Sequence, residues 1–369
     1  MRLPRRAISA GLSLTLSWGL LSLTTLPAAA QGAGGNYISE IQGQAELKSA
    51  GQDNFQRAYA GDPLRAPDQL RVSAGSTVDV VCNNIRLHTL AAGTYTISDY
   101  CNTEGPISLP SSRRPARDFN ANLPYVLRPR NTALLEAPQP TIRWNPVDGA
   151  QSYEVRVSGP DGQWTTDVSD TEVIYDGPAL QPDIRYRIVI TANNDLSSSP
   201  DVPVGFTLLS MEEAARVKDQ VAQLLALPQN ADAAAIGLAL LYQSYMHSNP
   251  AQHSNALNQA ALDVLQKRID DGTENSQIYL LQGDIYLAVG LPLKAQKQYE
   301  QALELAMEAE QLTRQADSYE GLATVAQGES EVSDAISHLK SALRIYETLG
   351  NVTQVNALQE RIDRLQLQL

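Results

Sequence analysis

The chain reads as a multidomain β-plus-α protein: a small all-β unit, then a β-sandwich, then an α-helical repeat solenoid at the C-terminus. Three observations lead to this. Short runs of alternating apolar and polar residues, broken by glycine, fill residues 36–109. A second alternating set with Asp-Gly turns fills residues 131–209, and from residue 210 nearly every apolar gap is helical, with small and aromatic residues recurring at a period of 40. Strand runs followed by helix runs argue for separate domains rather than one mixed sheet.

The chain opens with Arg2, Arg5 and Arg6, continues through an apolar stretch over residues 8–26, and reaches Ala28-Ala29-Ala30 before Gln31. A basic start, an apolar middle and a small-residue A-x-A site make residues 1–30 a secretory signal peptide. Ser and Thr interrupt the apolar run, which argues against a membrane anchor. An exported protein is expected, periplasmic or extracellular. Removing residues 1–30 deletes three arginines and no acid, so the formal net charge moves from −13 to about −16. Such a charge disfavours nucleic acid and anionic membrane surfaces as partners. No second apolar run approaches the roughly 18 residues needed to span a bilayer.

In residues 36–109 the alternating runs include Leu70-Arg71-Val72, residues 77–81 and Tyr95-Thr96-Ile97, with Gly43, Gly61, Gly75 and Gly93 at turn positions. The two cysteines of the chain, Cys82 and Cys101, both lie here. In an exported chain that predicts a disulfide, which would close a loop of about 20 residues and contribute on the order of 3 kcal/mol. A metal site would need further ligands, and His88 is the only histidine in this half. The segments Ile41-x-Gly43-x-Ala45-x-Leu47, Asp68-x-Leu70-x-Val72-x-x-Gly75-Ser76-x-Val78-x-Val80 and Leu90-x-x-Gly93-x-Tyr95-x-Ile97 resemble the FecR-like domain of bacterial envelope proteins. Pro67 stands before Asp68 where that family usually has glycine, which alters the expected turn.

Residues 110–130 shift to Pro, Ser, Asn and Arg and carry a net charge of about +4, the composition of a linker. Beyond them Ile142 and Trp144, then Tyr153, Val155 and Val157, then Tyr186, Ile188 and Ile190 alternate with polar neighbours, the pattern of strands with one buried face. Asp148-Gly149, Asp161-Gly162 and Asp176-Gly177 supply turns. Trp144-Asn145-Pro146, Tyr153-Glu154-Val155 and Leu180-x-Pro182-x-x-x-Tyr186-x-Ile188-x-Ile190-x-Ala192 resemble a fibronectin type III domain, an immunoglobulin-like β-sandwich. The resemblance implies that Tyr186 is a tyrosine corner and Trp144 a core indole.

Ser210-Met211-Glu212-Glu213 has capping-box spacing and marks the start of the helical part, residues 210–369. Tyr279, Gly283 and Tyr286 followed by Ala295, Tyr299 and Ala302 have the spacing of a tetratricopeptide repeat. The small residues belong where helices cross closely, and the aromatics fill the gaps between turns. Gly283, Ala295 and Ala302 return 40 residues later as Ala323, Ala335 and Ala342, and Tyr279 as Tyr319. A period about six residues beyond the common repeat implies longer helices, as in repeats resembling the kinesin light-chain type. Leu238, Ala239 and Tyr242, with Ala256 and Ala260, read as a degraded first copy. Val355, Leu358, Ile362, Leu365 and Leu369 read as a capping helix.

No H-E-x-x-H, G-x-S-x-G, phosphate-binding glycine loop or paired-cysteine motif occurs, so no catalytic, cofactor-binding or metal-ligating residues are expected. His88, His247, His253 and His338 are scattered. Carried over from the repeat family, the groove positions are Gln277, Leu280, Asp284 and Leu287, then Asp317, Glu320, Thr324 and Gln327. Their acids predict a basic or amphipathic protein segment as partner, with Asp284, Asp317 and Glu320 as its charge partners. The leading expectation is a non-enzymatic exported scaffold. Two others stay open: a periplasmic sensory or regulatory component, and binding of envelope polysaccharide by the β domains, for which Trp164 is the candidate contact.

Overall fold

A computed structural model describes residues 35–101, 122–136, 139–193, 196–198, 204–245 and 256–369. The expected signal peptide, most of the expected linker, and His247 and His253 lie outside the described residues. The N-terminal part folds as two four-stranded antiparallel sheets. One runs β4 (Pro63–Leu64), β1 (Asn36–Gln42), β6 (Thr77–Val81) and β7 (Leu87–Leu90) in spatial order. The other runs β3 (Gln56–Arg57), β2 (Ala45–Lys48), β5 (Gln69–Val72) and β8 (Gly93–Thr96). The alternation places Ile38, Leu70, Val72, Val78 and Val80 in a shared core, where the Cys82–Cys101 disulfide is also buried. Asp68, after Pro67, closes its turn by accepting hydrogen bonds from the backbone N–H groups of Ala50 and Arg65 at 2.9 and 2.7 Å. Burial raises its carboxyl above the usual range, and those two bonds hold the charged form against it.

The second β region has a three-stranded and a five-stranded sheet. β14 (Glu172–Ile174), β11 (Thr141–Trp144) and β9 (Val126–Arg128) form the first. The second is β10 (Thr132–Leu134), β16 (Gly205–Leu208), β15 (Arg185–Ala192), β12 (Tyr153–Gly159) and β13 (Gly162–Val168), with β10 parallel to β16 and the other pairs antiparallel. Val126, Ile142, Trp144, Val155, Ile190 and Phe206 meet in one core. Strand β9 falls where a linker is expected. The run of arginines and prolines around it hides a short strand whose Val126 is fully buried while Arg128 faces outward.

Among the described residues eight helices follow: α1 (Met211–Leu225), α2 (Ala231–Ser244), α3 (Asn258–Asp270), α4 (Ser276–Ala288), α5 (Pro292–Glu308), α6 (Leu312–Gly328), α7 (Val332–Thr348) and α8 (Val352–Gln366). The side chain of Ser210 accepts from the N–H of Glu213 and caps α1. Helices α5, α6 and α7 are 17 residues each, which accounts for the long period. Ala256 precedes α3 rather than lying in it; its carbonyl accepts from the N–H of Ala133 in β10. The predicted small positions Ala295, Ala302, Ala335 and Ala342 are all fully buried. The Tyr299 ring sits between two helices at Gly283 and Gly321, where any added Cβ would meet it at 2.8 and 2.6 Å. In α8, Leu358, Ile362 and Leu365 close the apolar end of the array, while Leu369 is exposed.

The β regions dock on these helices. Tyr37 of β1 enters the same core as Ile236, Leu240, Ile278 and Leu281, with Ile85 and Leu87 packed against its edge. Its ring lies where a Cβ on Gly237 would have to be, and its hydroxyl donates to Gln229 Oε1 at 2.8 Å. On the second β region, Arg130 reaches from the loop after β9 and donates to the carbonyls of Val289 and Gly290 at the end of α4.

Candidate functional site

The inner face of the repeat array is formed by α4 and α6, with α8 closing one end. Five of the eight predicted groove residues, Gln277, Leu280, Asp284, Asp317 and Glu320, line a cleft of about 560 Å³. The other three do not. Leu287 is buried among the helices, Thr324 is fully buried, and Gln327 is covered by Arg361 of α8.

The acids of this face are held by tyrosines from the helices behind it. Tyr299 donates to Asp284 at 2.7 Å, and Tyr346 donates to Asp317 and Glu320 at 3.1 Å each. Burial first, then those two carboxylates, push the Tyr346 hydroxyl well above the ordinary tyrosine range, so it stays a proton donor. Arg361 donates to Thr324 Oγ1 at 3.0 Å and to Gln327 Oε1 at 2.9 Å.

The opposite wall of the cleft is the N-terminal β domain, which brings Leu47, Gln56, Tyr59, Asp62, Arg65 and Asp68. Arg314 of α6 ties the two walls together. Its guanidinium is buried and ion-paired with Asp62, and it also donates to Asn275, Ser276 and Gln311 at 3.0–3.2 Å. Tyr59 lies under that guanidinium at 5.4 Å and donates its hydroxyl to the Ala309 carbonyl at 3.3 Å. Asn275, the N-cap of α4, donates its amide to the Ala60 carbonyl at 3.3 Å. Sequence reasoning found the acids because the repeat spacing places them. It missed Arg314, Arg361, Tyr346, Tyr59 and Asp62, because their roles depend on pairings across as many as 252 positions.

Among the described residues, no group of three or more His, Cys, Asp or Glu side chains could hold a metal ion, and no helix is long and apolar enough to cross a membrane. Residues 256–348 match the tetratricopeptide repeat family model. No curated protein matches the chain. Among solved structures, the crystal structure of BtubC (BKLC) from P. vanneervenii is similar over 42% of this chain and 72% of that one, at 16% identity and a TM-score of 0.28, a likeness that carries no argument about fold or function. The repeats suggest a protein–protein interaction scaffold.

Proposed function

We propose that this chain is an exported, non-enzymatic scaffold whose repeat face captures a basic or amphipathic segment of a protein partner. The observation that carries the reading is the convergence of Asp284, Asp317 and Glu320 on one cleft in a region that matches an interaction repeat. Export rests on the basic, apolar and small-residue pattern of residues 1–30, and the disulfide suits an oxidising compartment.

The N-terminal β unit is read as FecR-like and the second as fibronectin type III-like, both serving to position the repeats. Support for the second comes from the fully buried ring of Trp144 and from Tyr186, whose hydroxyl accepts from the Gln181 N–H at 2.7 Å five residues upstream.

The test uses the full mature chain as bait against its native envelope, with Asp284→Asn/Glu320→Gln as the comparison. The expected result is one protein enriched on the wild type and lost from the variant; equal recovery on both removes the acidic face from the binding site. N-terminal sequencing of the protein purified from its cells should begin at Gln31, and an intact Met1 would overturn export.

A further inference from the structure

The N-terminal β domain meets the helices along two seams of different chemistry. The first is largely apolar: Tyr37, Val81, Ile85 and Leu87 pack with α2 and its neighbours, with one hydrogen bond from the Tyr37 hydroxyl to Gln229. Such contacts are non-directional and scale with buried area, so they survive small displacements. The second is polar and lies over α4, α6 and the start of α8. It comprises Asp62 with Arg314, Tyr59 with the Ala309 carbonyl, Ala60 with Asn275, and Asp53, which lies so close to Gly350 that a Cβ there would meet its carboxylate at 2.9 Å. Hydrogen bonds and ion pairs of this kind are lost within about an ångström of movement.

The cleft between these walls is within the roughly 300–1,000 Å³ range of sites for small ligands. A bulkier partner, such as an α-helix about 10–12 Å across with its side chains, meets both walls. Repeat arrays bend because each unit contacts mainly its neighbours, so α6–α8 can swing relative to α2 without unfolding either.

We propose that the N-terminal β domain is a latched cover over the repeat face, that the Asp62–Arg314 pair is the latch, and that a macromolecular partner reaches Gln277, Leu280, Asp284, Asp317 and Glu320 only when the polar seam parts while the apolar seam holds. The proposal rests on the reading that this face binds a protein. A buried ion pair is a poor source of net stability but a strict geometric requirement, which suits a contact that must close in one position and still open. When Asp62 leaves, the three neutral acceptors on Nη1 keep the Arg314 side chain in place, and Nη2, which Asp62 held, is released to the solvent that enters the parted seam.

The test is hydrogen exchange on the full chain, comparing wild type with Asp62→Asn and with Tyr59→Phe, which loses only one hydroxyl bond. The expected result is exchange about tenfold faster in Asp62→Asn at residues 311–320 and 349–354, across the seam from the substitution, with α2 unchanged, and a smaller change of the same pattern in Tyr59→Phe. No change in either variant, or acceleration spread equally over β1 and α2, would overturn the latch. The measurement needs no partner, so its outcome is separate from that of the capture experiment.

Discussion

The two β regions dock on one helical array with different balances of apolar and polar contact. The N-terminal domain commits a buried aromatic ring, Tyr37, to a space kept open by Gly237, and adds a polar seam at the far edge. The second region places only Ala133 and Leu209 in the helical core and adds hydrogen bonds: Arg130 to the carbonyls of Val289 and Gly290, Asn258 to the Asn131 carbonyl at 2.6 Å, and Gln259 N–H to Thr132 Oγ1 at 3.0 Å. The difference teaches how the energy is distributed. Burial of an aromatic side chain contributes through area and tolerates adjustment, whereas the arginine contact depends on every carbonyl keeping its donor.

The largest effect is expected from Tyr37→Ala. It removes the largest side chain of the apolar seam and should lower unfolding free energy by about 3–5 kcal/mol in urea denaturation. A loss below 1 kcal/mol would mean that the seam contributes little. Next comes Arg130→Met. Burial pushes the Arg130 guanidinium down to about 10, and it is held by carbonyls of Val126, Val289 and Gly290. Removing it should cost about 1.5–3 kcal/mol. Arg128→Gln, which breaks a solvent-exposed pair with Asp263, should cost less than about 1 kcal/mol. Equal losses at both positions would erase the distinction between a buried anchor and a surface ion pair.

The smallest effect concerns pH and checks that the seams themselves are not the titrating element. His338 of α7 packs beside Tyr319, and burial pushes its imidazole below the ordinary histidine range, partly opposed by Asp334 and Glu300. The folded state therefore binds its proton less readily than the unfolded chain. Its contribution to stability is full above about pH 6.5 and falls as pH drops through the lower folded value. Denaturation midpoints should decline as pH is lowered below about 6.5, and His338→Gln should remove that component. An unchanged slope in the variant would locate the titration elsewhere.

Legibility followed the range of the interactions. Tyr279, Gly283, Ala295, Tyr299 and Ala302 could be read because helix packing within a repeat is local and periodic. The burial of Gly283, Ala295, Tyr299 and Ala302 and the Tyr299 contact with Gly283 follow from that spacing, and Tyr279 is half-buried. The same logic missed Gly321, the second glycine against Tyr299, because it departs from the 40-residue register. Cys82 and Cys101 could be paired because they are the two cysteines of the chain. Strand β9 was hidden because it is three residues long and stands among arginines and prolines that have the composition of a linker. The groove acids were found by position, but their surroundings were not: nothing near Asp284 or Glu320 in sequence announces Tyr299 or Tyr346 behind them, or Tyr59 opposite.

What the sequence by itself determined is the kind and order of the elements: strands from residue 36 onward, helices from residue 211, and the small and aromatic positions at which the helices cross. These follow from period-2 and helical patterning, which act over a few residues. Only the tertiary structure decided that the N-terminal domain stands across a cleft from the repeat face, that Arg314 pairs with Asp62, and that Tyr37 uses the gap at Gly237. Those contacts join residues some 190 to 250 positions apart, and they are set by which buried surfaces and unpaired charges are left when each module has folded.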